Sequence, residues 1–203
     1  MTEQHILYIH GFNSSPQSLK AQQTQQFFSK HYPNISFHCP QIASSPNAAI
    51  AQLTQIINQH SGNWHLMGSS LGGYFSTYLS EQYQIPAVLI NPAVKPFELL
   101  SDYLGEQTNP YTNETYTVSH QFINDLKVLE QKKITKKHYM VMVQTGDEVL
   151  DYQQAVSKYQ QCQLIVQQGG DHSFINYVDQ LTNIAQFFDL KSINTPNNYQ
   201  KAL

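Results

Sequence analysis

The sequence predicts an α/β fold in which a parallel sheet of about six strands is flanked by helices. Three observations carry that expectation. Short apolar runs at 6–9, 64–67, 87–90, 140–143 and 164–166 are too brief for helices and lack clean alternation, as expected of strands buried on both faces. Helix-like segments at 18–32, 46–59, 71–83, 152–159 and 174–188 lie between and after these runs. One further run, Ile35-Ser36-Phe37-His38-Cys39, does alternate and reads as an edge strand with one wet face. Strand and helix in alternation is the pattern of a parallel sheet joined by helical crossovers.

The last helical segment illustrates the periodicity. Ile175, Val178, Leu181, Ile184, Ala185 and Phe188 recur at steps of three and four, which predicts one apolar stripe facing the sheet. The stretch 91–126, after the fourth strand, breaks the rhythm with Pro92, Pro96, Gly105, Pro110 and several tyrosines. Only short helical patches, such as 97–104, are expected there, and the segment reads as a cap-like insertion. The chain therefore reads as one domain over 1–190, followed by a polar tail at 191–203 that is expected to be mobile.

At 203 residues the chain is about one domain long, and a chain of this size hides about 70% of its unfolded surface. A formal charge of −3 and the lack of a basic stripe argue against nucleic acid as a partner. All eleven basic residues are Lys, so no guanidinium is present to clamp a phosphate from two sides. The start of the chain carries no basic segment followed by a long apolar run, so neither a signal peptide nor a membrane span is expected. Cys39 and Cys162 make no disulfide framework and read as small buried hydrophobes of a cytoplasmic protein.

The strongest chemical signal is Gly68-Ser69-Ser70-Leu71-Gly72, a G-x-S-x-G pentapeptide between a strand and a helix. A tight strand-to-helix turn lifts a serine into the open and crowds the residues two before and two after it. Glycine fits at both of those places, which selects Ser70 as nucleophile, flanked by Gly68 and Gly72. The glycines 68–73 are not followed by Lys and Ser/Thr and do not have dinucleotide spacing, so phosphate binding fits poorly.

A serine hydroxyl needs a base, and the base needs an orienting group. In the α/β-hydrolase fold these follow in the order Ser, Asp or Glu, His, each beyond the end of a later strand. The run 140–143 leads into Gln144-Thr145-Gly146-Asp147-Glu148-Val149, and the run 164–166 leads into Gly169-Gly170-Asp171-His172-Ser173. His172 is the candidate base. Asp147 is the candidate acid, with Glu148, Asp151 and Asp171 nearby as alternatives. The backbone N–H groups of Leu71 and Phe12 are the candidate oxyanion donors, with Gly11 allowing the loop to turn. His10 reads as a brace for that loop rather than a second base.

Six segments are together similar to the YqiA-like esterase family, small bacterial α/β-hydrolases. They are His10-Gly11-Phe12-Asn13-Ser14-Ser15-Pro16, Gly68-Ser69-Ser70-Leu71-Gly72-Gly73-Tyr74, Asn91-Pro92-Ala93-Val94, Asn109-Pro110-Tyr111-Thr112, residues 144–152 and Gly169-Gly170-Asp171-His172. The resemblance covers about residues 5–190. It implies a compact α/β-hydrolase without the opening antiparallel strands of larger members, with 35–39 at a sheet edge. It also implies hydrolysis of a small-molecule ester or thioester through Ser70, Asp147 and His172. Acyl transfer to another acceptor, C–C bond hydrolysis and a non-catalytic binding role on the same fold stay open as alternatives. No cofactor or metal is expected, since no ligand cluster has metal spacing. Tyr103, Tyr111, Tyr116 and Phe122 in the insertion are the candidate lining for an apolar acyl group.

Overall fold

The computed structural model describes residues 2–192. Six strands form one parallel sheet: β1 (Gln4–Ile9), β2 (Ile35–His38), β3 (Asn63–Ser69), β4 (Ala87–Ile90), β7 (Tyr139–Gln144) and β8 (Gln163–Gln167). Their spatial order is β2-β1-β3-β4-β7-β8. The chain starts inside the sheet, steps outward to β2, then returns past β1 to add β3 and the rest on the other side. This reversal makes a topological switch point between β1 and β3. Their carboxyl ends, Ile9 and Ser69, open the crevice where ligands bind in such sheets.

Alternation along the central strands sorts the core into two layers. Leu7 and Ile9 point to the face covered by α2 (Pro46–Gln59), α3 (Leu71–Tyr83), α5 (His120–Val128) and α6 (Tyr152–Lys158). Ile6 and Tyr8 point to the face covered by α1 (Leu19–His31) and α7 (Leu181–Phe187). Both clusters are built of buried aliphatic and aromatic side chains, so the central strands are covered on both faces. The helices 46–59 and 71–83 have the expected ends. Residues 35–39 lie at the expected edge, although Ser36 is the one exposed member. Cys39 and Cys162 are half-buried rather than buried, and each packs against one of the two clusters.

Three expectations need correction. The run 164–166 is not buried on both faces: β8 is the other edge of the sheet, and Val166 is 42% exposed. The final helix does not begin at Phe174. Phe174 and Asn176 have φ of 65° and 60°, a 3-10 turn occupies Tyr177–Gln180, and α7 starts only at Leu181. Leu181, Ile184, Ala185 and Phe188 cover the sheet as expected, but Ile175 and Val178 are about half exposed and turn away from it.

The third correction concerns 91–126, which is more regular than short helical patches. After α4 (Pro96–Leu99) and a 3-10 turn at Leu100–Tyr103 comes an antiparallel hairpin, β5 (Gly105–Thr108) with β6 (Thr115–Val118). Helix α5 follows, its first turn capped by the Ser119 hydroxyl accepting from Phe122 N–H at 3.2 Å. Asn109 closes the hairpin by accepting from the N–H of Tyr111 and Thr112. Most of the polar tail, 193–203, lies outside the described residues. Among the described residues no helix is long and apolar enough to cross a membrane.

Candidate active site

Ser70 sits between β3 and α3 with φ 55° and ψ −120°, a conformation that side-chain-bearing residues rarely adopt. Its carbonyl accepts from Gly73 N–H at 2.9 Å and from Ala93 N–H at 3.1 Å, which ties the turn to the segment after β4. The flanking glycines are required by close approach. A Cβ on Gly68 would collide with the Gly72 carbonyl and the Ser76 hydroxyl, and one on Gly72 with the Ile9 carbonyl. Gly72 thus lets α3 pack directly on the end of β1, and that contact sets Ser70 beside the loop after β1.

In that loop His10 is buried. Its Nε2 accepts from Ile42 N–H at 3.2 Å, so its Nδ1 carries the proton and donates to the Gly11 carbonyl at 3.0 Å. Burial lowers its pKa, which favours this neutral brace. Gly11 approaches the serine closely; a Cβ there would lie 3.2 Å from Ser70 Cβ. The backbone N–H groups of Phe12 and Leu71 make no hydrogen bond within the described residues. Leu71 is the first residue of α3 and has no intrahelical acceptor.

Beyond β7 and β8 the structure brings Asp147 and His172 together. His172 Nδ1 lies 2.9 Å and 3.0 Å from the two carboxylate oxygens. A carboxylate only accepts, so Nδ1 carries a proton, and in the neutral ring Nε2 keeps its lone pair. The Asp147 side chain is 2% exposed and that of His172 24%. Burial would raise the Asp147 pKa. The hydrogen bond from His172 and the N–H groups of Leu150 and Val149 outweigh it and hold the carboxyl below its usual range.

The neighbouring acids are otherwise engaged. Glu148 accepts from the His172 backbone N–H, Asp151 caps α6 through Gln153 N–H, and Asp171 accepts from the Ser173 hydroxyl. Ser70 and His172 line one cavity of about 730 Å3 but are not hydrogen-bonded to each other.

Several supporting residues carry no sequence motif that assigns them a role. Asn91, at the end of β4 with φ 40°, donates through Nδ2 to the carbonyls of Asp171 and His172 and accepts from Gln144 N–H. Gln144 accepts from the N–H groups of Asp171 and Ile175 and donates to the Ile175 carbonyl. These two amides fasten the His172 loop to the sheet.

Of the insertion side chains expected to line the site, Tyr111 alone borders this cavity. Tyr116 and Phe122 border a small neighbouring pocket instead, while Tyr103 packs edge-on against Phe12. Tyr116 OH donates to Asn13 Oδ1 at 2.7 Å and Asn109 Nδ2 to the Ser14 carbonyl at 3.0 Å, so the insertion braces the loop that carries Phe12. The apolar wall comes instead from Leu19, Phe174, Ile175 and Val178. Among the described residues no group of His, Cys, Asp and Glu could hold a metal.

Solved structures share this architecture at low identity. Est1E from Butyrivibrio proteoclasticus superposes with a TM-score of 0.73 at 12% identity, covering 93% of this chain and 87% of that one. Mouse alpha/beta hydrolase domain-containing protein 10 gives 0.71 at 18%, covering 91% and 89%. A monoacylglycerol lipase from Paleococcus ferrophilus gives 0.67 at 12%, covering 90% and 93%. The fold is that of the α/β hydrolases. The sequence model of a family described as uncharacterised, UPF0227, matches residues 5–189.

Proposed function

Because the chain belongs to the family UPF0227 and has the α/β-hydrolase fold, we propose that it is a serine-dependent hydrolase of carboxylic esters or thioesters. One observation carries the reading. Ser70, held at positive φ on the turn into α3, shares a cavity with a histidine whose Nδ1–H is committed to a buried carboxylate.

In the proposed mechanism Ser70 Oγ attacks the substrate carbonyl while His172 Nε2 accepts its proton. Asp147 keeps the ring in the competent tautomer and stabilises the imidazolium. The oxygen that becomes negative accepts from the N–H groups of Phe12 and Leu71, which are free for that purpose. The imidazolium then protonates the departing alcohol or thiol, and the same base activates water to release the acyl group from Ser70. Catalytic hydrogen bonds often form fully only with substrate bound, which accommodates the unbonded Ser70 and His172 seen here. Partial exposure of the His172 side chain leaves water access to the ring, which favours hydrolysis over transfer to another acceptor.

The test is labelling with a fluorophosphonate, with the adduct mapped by mass spectrometry. Adduct on Ser70, lost in Ser70→Ala and His172→Ala, is the expected outcome. Well-folded protein that takes no label, and hydrolyses no activated ester, would overturn the reading and favour a binding role.

A further inference from the structure

The cavity around Ser70 and His172 holds one lysine, Lys20, in a chain without arginine. Lys20 stands in the first turn of α1, and its Nζ donates to the Ser173 carbonyl at 2.8 Å. That bond holds the ammonium beside the residue after His172 instead of letting it extend into water. Among the described residues no carboxylate forms an ion pair with it. Burial lowers its pKa, and the more distant Asp171 and Asp147 act against that.

An ammonium has three N–H donors, and one is used. Gln23, three residues on and so on the same helix face, lines the same wall, and its side chain has no hydrogen bond within the described residues. The Ser18 hydroxyl borders the cavity too and does not cap the helix. The one carboxylate in the lining, Glu148, is turned to the His172 N–H. Unused donors, one of them charged, therefore gather on a single side of the cavity.

We infer that Lys20, flanked by Gln23 and Ser18, is an anion subsite of this cavity, so that the substrate is an ester or thioester bearing a carboxylate or phosphate group. The inference rests on the serine-hydrolase reading. Without a guanidinium fork the recognition is that of a point charge, which accepts either anion. A purely structural Lys20, tying α1 to the His172 loop, would instead serve all substrates alike.

Two matched pairs separate these roles. p-Nitrophenyl hemisuccinate against p-nitrophenyl pentanoate puts a carboxylate on the acyl side. 4-Acetoxyphenyl phosphate against 4-methoxyphenyl acetate puts a phosphate on the leaving group. For the full-length wild type, Lys20→Gln and Lys20→Glu, kcat/KM is expressed per site labelled by fluorophosphonate, which divides out misfolded protein. In at least one pair the charged-to-neutral ratio is expected to fall about tenfold in Lys20→Gln and further in Lys20→Glu. Which pair responds identifies the anion and its side. Charged and neutral members falling together, or no change in either ratio, would overturn the subsite while leaving the hydrolase reading intact. A wild type that neither labels nor turns over any ester would overturn both.

Discussion

The carboxylate of Asp147 accepts from three N–H groups, two in its own turn and one on His172, and these keep it ionised although it is buried. Asp147→Asn replaces an acceptor with a group that also donates, and so stabilises the ring tautomer in which Nε2 carries the proton. A loss of about 10⁴-fold in kcat on a neutral ester is expected, with KM little changed. A loss below about tenfold would assign the orienting role elsewhere. The same interactions have a stability consequence. Asp147 titrates below its ordinary 3.8 in the folded chain, so its contribution is complete above that value and is lost as pH falls through the lower folded value. Urea midpoints taken from about pH 5 to about pH 2 should fall less steeply for Asp147→Asn than for the wild type.

Between elements, the site depends on amides that join distant turns. Asn91 at the end of β4 and Gln144 at the end of β7 hold the loop after β8, so three strand ends are fastened to one another. Asn91→Ala leaves the Gln144 N–H and two loop carbonyls without their partner. The expected result is a ten- to hundred-fold fall in kcat, about 1.4–2.7 kcal/mol, with KM nearly constant. Equal losses in kcat and thermal stability, or a change confined to KM, would speak against a positioning role. Helices 46–59 and 71–83 were legible because their patterns are local and uninterrupted. The hairpin β5–β6 was not, since its strands are short and largely exposed, its turn is closed by the Asn109 side chain and it is tied to the distant loop after β1. The start of α7 is not legible for a related reason: Ile175 and Val178 continue the three-and-four spacing, but positive φ at Phe174 and Asn176 turns them to the cavity.

Over the whole molecule, two apolar layers cover the central strands of the sheet, and a titratable group buried beside them couples stability to pH. His65 on β3 is 7% exposed, donates through Nε2 to Gln4 Oε1, packs at a tilt against the Phe188 ring and leaves Nδ1 without a partner. Burial lowers its pKa from 6.5 to about 4. The unfolded chain therefore takes up this proton first. Stability is fully present above pH 6.5 and declines as pH falls toward 4, by as much as about 3 kcal/mol. His65→Leu should flatten that part of the profile, as read from thermal midpoints between pH 7 and about 4. An unchanged slope would mean that other groups carry the acid sensitivity.

The sequence by itself determined the parallel sheet, its edge at 35–39, and the loops that carry Ser70, His172 and four candidate acids. Each is encoded locally: by apolar periodicity, by glycines on either side of a serine, or by a polar residue just past a strand end. Only the tertiary structure decided that Asn91 and Gln144 hold the His172 loop and that Asn109 and Tyr116 brace the loop of Phe12. It likewise decided that Asp147 is the acid that meets His172 and that the cavity wall is made chiefly by Leu19, Lys20, Ile175 and Val178, with Tyr111 the insertion's one contribution. These roles arise from contacts between segments far apart in the chain: Asn91, Asn109 and Gln144 lie in recognisable motifs, but no motif says which distant group each of them binds. Packing of α1 and the 174–178 turn at one sheet end creates the cavity wall.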